Sequence, residues 1–158
     1  MKVTVDKKFI LQRNKRAELY KANGRSQERL LKDIECKLYE YEMIKKGRWE
    51  DDDNWQVDGH AFWGTVDVKC IKGFYNISRK KLLHILQQRE YVDWFYFIEW
   101  KERPERLLKT GDKVEFNYIT KIEYEKFLKG IKVSFKGDGF YFDARKAPKI
   151  DQHGFPGQ

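Results

Sequence analysis

VDGHAFWGTVDVKCI, residues 57–71, sets two aspartates and a lysine into an otherwise apolar, strand-like run. Successive side chains of a strand point to opposite faces, so Asp67 and Lys69 are expected to share one face while Val66, Val68 and Cys70 turn into packing, with Ile71 extending the apolar run. Asp58 stands nine residues before Asp67 and belongs to the preceding strand, across a bend near Gly59 or Gly64. An acidic pair able to close on one cation, beside a lysine able to hold a hydroxide or a developing phosphate charge, is what metal-assisted phosphodiester hydrolysis needs. The same residues also fit the solvated face of an edge strand, with Asp58 in a turn. The local pattern does not separate the two readings.

Upstream, Ser26 is an expected helix N-cap with Glu28 in the first turn, and the run to Lys46 keeps a helical period through Leu31, Ile34, Leu38, Tyr41 and Met43 or Ile44 until Gly47. Glu35 falls on the flank of that stripe, either as a boundary residue or as a third acid leaning towards Asp58 and Asp67. Glu28 and Glu42 share its face, whereas Asp33 and Glu40 are expected to point outward. Arg48 to Asn54 carries three aspartates but lacks the glycine and terminal glutamate of a calcium loop, so it reads as a solvated turn. Trp49, Trp55, Phe62 and Trp63 are expected as core or sheet-face aromatics, the alternative being that one of them is exposed to a flipped or unpaired base. His60 is either an ordinary turn histidine or a contact to phosphate or base. No HxH, HxxxH or HExxH spacing supports a zinc hydrolase.

Downstream, residues 74–77 should extend the sheet, and Ser78 should cap a helix with Leu82, Leu83, Ile85 and Leu86 facing inward. Arg79, Lys80 and Lys81 occupy its first turn, where cations oppose the helix dipole; together with Ser78 they suit an external phosphate. Residues 91–100 read as the central strand. Residues 113–119 read as another strand, 121–129 as a short helix ending at Gly130, and 131–135 with 140–142 as a late hairpin.

The 158 residues suffice for one domain with a sizeable core, assigned here to residues 1–143. Residues 1–25 read as a short strand with a basic arm, or as a helix near Lys15 to Lys21 ended by Asn23-Gly24. Residues 144–158 read as a flexible tail. Two cysteines outside any C-x-x-C pair point to a reducing compartment. Without an apolar span or leader-like segment, the expected location is cytoplasmic. A surplus of 33 Lys and Arg over 25 Asp and Glu, net +8, favours a polyanion partner, nucleic acid above all.

The order of elements (a helix bearing Glu35, a strand with Asp58, then Asp67-Val68-Lys69, then a strand and a basic helix) resembles the PD-(D/E)xK nuclease superfamily, which includes restriction endonucleases and archaeal Holliday junction resolvases. The resemblance covers roughly residues 26–100, with similarity again near 119–127. It implies an α/β, restriction endonuclease-like fold: a mixed central β-sheet flanked by helices. It implies Mg2+ or Mn2+ held by Asp58, Asp67 and the Val68 carbonyl, a catalytic set of Glu35, Asp58, Asp67 and Lys69, and DNA as substrate, with RNA not set aside. Val57 stands where the name-giving proline would be, and Asp67 where glutamate is commoner. The expected activity is endonucleolytic, with His60, Ser78, Arg79, Lys80 and Lys81 touching nucleic acid and a C2 homodimer serving two strands. The alternatives are a noncatalytic nucleic-acid-binding or accessory protein of the same fold, and a structural domain.

Overall fold

The computed structural model describes residues 1–20, 26–52 and 56–154. The chain folds as an α/β protein around a curled, mixed five-stranded sheet. Its elements are β1 (Lys2–Thr4), α1 (Lys7–Leu19), α2 (Gln27–Glu35), α3 (Leu38–Lys45), β2 (Gly59–Ala61), β3 (Gly64–Cys70), β4 (Tyr75–Ile77), α4 (Arg79–Gln87), β5 (Trp94–Trp100), β6 (Lys113–Glu123), α5 (Tyr124–Gly130), β7 (Lys132–Val133) and β8 (Phe140–Phe142). The main sheet runs β1-β6-β5-β3-β2, antiparallel at every pairing except β3 with β5. β5 lies at its centre, as residues 91–100 led one to expect, although the strand starts only at Trp94.

β5 is buried on both faces, which is why its sequence is almost unbroken in apolar residues. Trp94, Tyr96 and Ile98 join Val66 of β3, Phe9 of α1 and Leu38, Tyr39 and Met43 of α3 in one core. Phe95 and Phe97 join Ile85 of α4, Tyr124 and Phe127 of α5, and Phe142 of β8 in the other. Helices therefore cover both faces of the sheet.

Several expectations need correcting. The single helix expected from Ser26 to Gly47 is two. After α2 the amides of Cys36 and Lys37 bond back three residues, to the carbonyls of Asp33 and Ile34, and this tightened turn restarts the helix at Leu38 in a new phase. Residues 121–123, expected to open a helix, instead continue β6, because Thr120, Lys121 and Ile122 are buried against β5 and β-branched residues fit that pleated surface. β4 leaves the main sheet at the Lys72-Gly73 turn, where Gly73 has φ +77°, and pairs with β8 in a small sheet β4-β8-β7. In α4 the inward stripe is Leu82, Ile85 and Gln88, so Leu83 and Leu86 are exposed.

The N-terminal region is a strand followed by a helix that starts earlier than expected, at Lys7. Asp6 caps it by accepting from the Phe9 amide at 2.8 Å. Asn23 and Gly24, the expected helix stop, lie outside the described residues, as do Asp53, Trp55 and the last four residues of the expected tail. The part of that tail up to Gly154 is packed rather than loose. Ala144 is buried, Tyr118 Oη donates to the Ile150 carbonyl at 2.6 Å, and Thr120 Oγ1 donates to the Pro148 carbonyl at 2.7 Å. Among the described residues, no helix is long and apolar enough to cross a membrane.

Candidate active site

The β2–β3 hairpin carries the decisive residues. Its bend is set by Gly64 at φ +140°, where a Cβ would meet Asp93 Oδ2 at 2.8 Å. Asp93 is fixed there because its Oδ2 accepts from the Thr65 amide at 2.9 Å. Along β3 the pleat sends Val66, Val68 and Cys70 to the α3 side, while Asp67 and Lys69 share the other face with Lys69 Nζ 3.3 Å from Asp67 Oδ1. Asp58 sits just before β2, its amide bonded to the Val66 carbonyl at 2.8 Å. Beyond that point β2 no longer borders β3. The Asp58 carboxylate takes its place, accepting from the Val68 amide at 2.7 Å. Because amide and carbonyl of one strand residue face the same edge, the Val68 carbonyl opens on the side that Asp58 occupies.

Asp58 and Asp67 lie within hydrogen-bonding reach of each other. A third carboxyl reaches Asp58 in the same way: that of Glu40 on α3. Lys37 at the α2–α3 joint closes the cluster, its Nζ 3.4 Å from Asp58 Oδ1 and 3.8 Å from Glu40 Oε2. Behind Asp67, Gln88 Nε2 donates to Asp67 Oδ2 and, at 3.0 Å, to the Gln56 carbonyl. Lys69 Nζ lies 5.6 Å from the centre of the Tyr75 ring and 5.9 Å from that of Phe95, held over their faces by cation–π attraction.

The electrostatics follow from crowding a buried Asp67 and half-buried Asp58 and Glu40 beside two lysines. Burial pushes Glu40 up to about 8, and the nearby Asp58 charge adds to the push against the pull of Lys37. Burial also raises Asp67, to about 6, with Lys69 pulling down and Asp58 pushing up. Burial would raise Asp58 as well, but the Lys37 charge and the hydrogen bonds from Asp67 and the Val68 amide outweigh it, leaving Asp58 below the usual carboxylate range. Lys69 is raised because the Asp67 and Asp58 carboxylates and Tyr75 outweigh its burial. At neutral pH Glu40 therefore keeps a proton while Asp58 is ionised and both lysines are charged. Among the described residues, no three His, Cys, Asp or Glu side chains form a ready-made metal cage.

Of the residues expected in a catalytic set, Asp58, Asp67 and Lys69 come together and Glu35 does not. Its carboxylate is buried elsewhere: Glu35 Oε2 accepts from Arg13 Nη1 at 2.5 Å and from the Leu108 amide at 2.8 Å, locking α1, α2 and the chain before β6. Glu40, expected to point outward, is the helix acid at the cluster because the tightened turn after Glu35 changes the phase of α3. Gln88 was not anticipated. The i, i+3 spacing of Gln88 from the inward-facing Ile85 was its available signal. His84 of α4 was not singled out as a site residue either; burial and then the Lys69 charge lower its pKa.

The residues expected to touch nucleic acid fall in two places, His60 on β2 and Ser78 to Lys81 at the start of α4. His60 is paired with Asp52 across the Glu50–His60 bridge. Ser78 is occupied as the α4 cap, accepting from the Lys81 amide at 3.1 Å. Arg79, Lys80 and Lys81 are exposed, and Lys81 Nζ lies 5.7 Å from the Tyr75 ring centre, so Tyr75 connects this basic turn to Lys69. Phe62, expected as packing, is exposed at the hairpin tip, whereas Trp49 and Trp63 are core. Compared with protein-family models, curated proteins and solved structures, the chain gives no match.

Proposed function

We propose that the chain is a divalent-metal-dependent nuclease of the restriction endonuclease-like kind, hydrolysing phosphodiester bonds in DNA. The observation that carries this reading is the convergence of Glu40 on α3, Asp58 just before β2 and Asp67 on β3, with Lys69 on the same strand face as Asp67. Crowding three carboxyls together, Asp67 buried and the other two half-buried, is costly unless protons, lysines or a cation neutralise them. Asp58, Asp67 and the Val68 carbonyl offer the hard oxygen donors that Mg2+ or Mn2+ takes, and Mg2+ is commonly held through one or two carboxylates and water. Such an ion, when bound, polarises the scissile phosphate and acidifies a water molecule. Lys69 then stabilises charge developing on the phosphate, and Gln88 fixes the orientation of Asp67. One observation favours a noncatalytic alternative: the cluster is already balanced by Lys37, Lys69 and the Glu40 proton, so it is self-consistent without a ligand.

Calorimetric titration with Mn2+ separates the two. Wild type is expected to bind, Asp67→Asn to lose binding, and Lys69→Ala to retain it. Equal binding by wild type and Asp67→Asn, or no binding by wild type, would refute the proposed metal role.

A further inference from the structure

Beside the acid cluster, α1 and α3 frame a groove of about 610 Å³. One wall is a helical stripe of α1, with Lys8, Lys15 and Arg16 at the spacing that brings residues to one face. The other is Glu40 and Lys45 of α3 with Lys37 just before it. Phe9 and Ile34 are buried beneath, and Leu19 is exposed at the rim. The acids lining the groove are Glu40 and Asp51. Lys45 is bound to Asp6 at 3.0 Å, and the lining Arg13 is taken by Glu35. Among the described residues, no ion pair occupies Lys8, Lys15 or Arg16, and the Arg16 charge is felt at both Lys37 and Glu40. Like charges gathered on the walls of one concave surface raise its positive potential and draw a polyanion. At its inner end the groove shares Lys37 and Glu40 with the acid cluster.

We propose that this groove is the track for a single strand of nucleic acid, whose phosphates lie on Lys8, Lys15 and Arg16 and whose chain leads past Lys37 to Asp58. The proposal builds on the nuclease reading and names its substrate path. A groove with basic walls and an apolar floor suits one strand, whose phosphates and base faces are both accessible. An acidic peptide would satisfy the walls but make no use of the oxygen donors and Lys69 at the inner end.

The test is fluorescence anisotropy with a labelled single-stranded oligonucleotide of about 20 nucleotides, in DNA and RNA forms, and with the matching duplex. All are titrated in EDTA so that cleavage plays no part. The variant is Lys8→Ala/Lys15→Ala/Arg16→Ala, all exposed helix positions where alanine favours the helix. Its fold is checked by circular dichroism. The expected result is single-strand binding whose salt slope falls by about 2 units in the triple variant, since each lost phosphate contact on a single strand accounts for about 0.7. Arg79→Ala/Lys80→Ala/Lys81→Ala is expected to change it less. An unchanged slope in the α1 variant, binding of duplex alone, or equal competition by polyglutamate would overturn the proposal. If wild type binds the strand through these residues yet never cuts with Mg2+ or Mn2+, the track stands and the nuclease reading falls. If it cuts and the α1 variant binds like wild type, the reverse holds.

Discussion

Changing Glu35 to glutamine removes the charge from a buried pair without removing volume. Arg13 Nη1 spans Glu35 Oε2 and the Leu108 carbonyl at 2.5 and 2.9 Å, while the Leu108 amide donates to the same Glu35 oxygen at 2.8 Å. Both side chains are more than nine-tenths buried, with 7% and 6% exposure, so solvent screens the pair little. The variant leaves an uncompensated guanidinium, whereas the amide retains part of the hydrogen bonding, so the loss sits at the low end for breaking a buried pair, about 3 kcal/mol. For a chain of this length that lowers Tm by about 6–12 °C. The assay is chemical and thermal denaturation of Glu35→Gln, Arg13→Met and the double variant, with the double losing less than the sum of the singles. Because Glu35 lies outside the acid cluster, Glu35→Gln should retain metal binding at temperatures where it is folded. A Tm within about 2 °C of wild type, or loss of metal binding in a fully folded Glu35→Gln protein, would refute the reasoning.

Lys121 is buried and, among the described residues, has no hydrogen-bond partner for Nζ, which lies 3.5 Å from the Trp63 ring centre; burial lowers its pKa to about 8, against the attraction of Asp151. Folded protein gives up this proton before unfolded chain does, so wild type should gain about 2–3 kcal/mol of stability between pH 8 and 10.5. Lys121→Met should be more stable than wild type below pH 8, and its urea midpoint should lack Lys121's contribution to that rise; an identical pH profile would count against it. Gly64→Ala must hold a Cβ at φ +140° against Asp93 Oδ2, and should cost about 2–4 kcal/mol in urea unfolding, with a loss below about 1 kcal/mol contradicting the hairpin geometry.

What the sequence made legible was local. The pairing of Asp67 with Lys69 follows from the two-residue period of a strand, and the burial of β5 on both faces from its continuous apolar run. What escaped was set by long-range partners. Glu35 borders an apolar stripe, and only the fold brings Arg13 and Leu108 to it across 22 and 73 residues. Glu40 enters the cluster because Cys36 and Lys37 tighten one helical turn, and the continuous helical period of residues 27–46 gave no sign of that break. Lys121 to Glu123, expected to open the short helix, are kept extended by pairing with Trp94 to Tyr96. Residues 144–154 have little to bury by themselves and are ordered through Tyr118 and Thr120 of β6.

The central claim is tested most directly by incubating purified protein with linear, branched and single-stranded DNA in the presence of Mg2+, Mn2+ or EDTA, alongside Asp58→Asn, Asp67→Asn and Lys69→Ala. The account predicts divalent-dependent cleavage by wild type and none by the three folded variants; no cleavage of any substrate by wild type, or cleavage by Asp67→Asn at the wild-type rate, would contradict it.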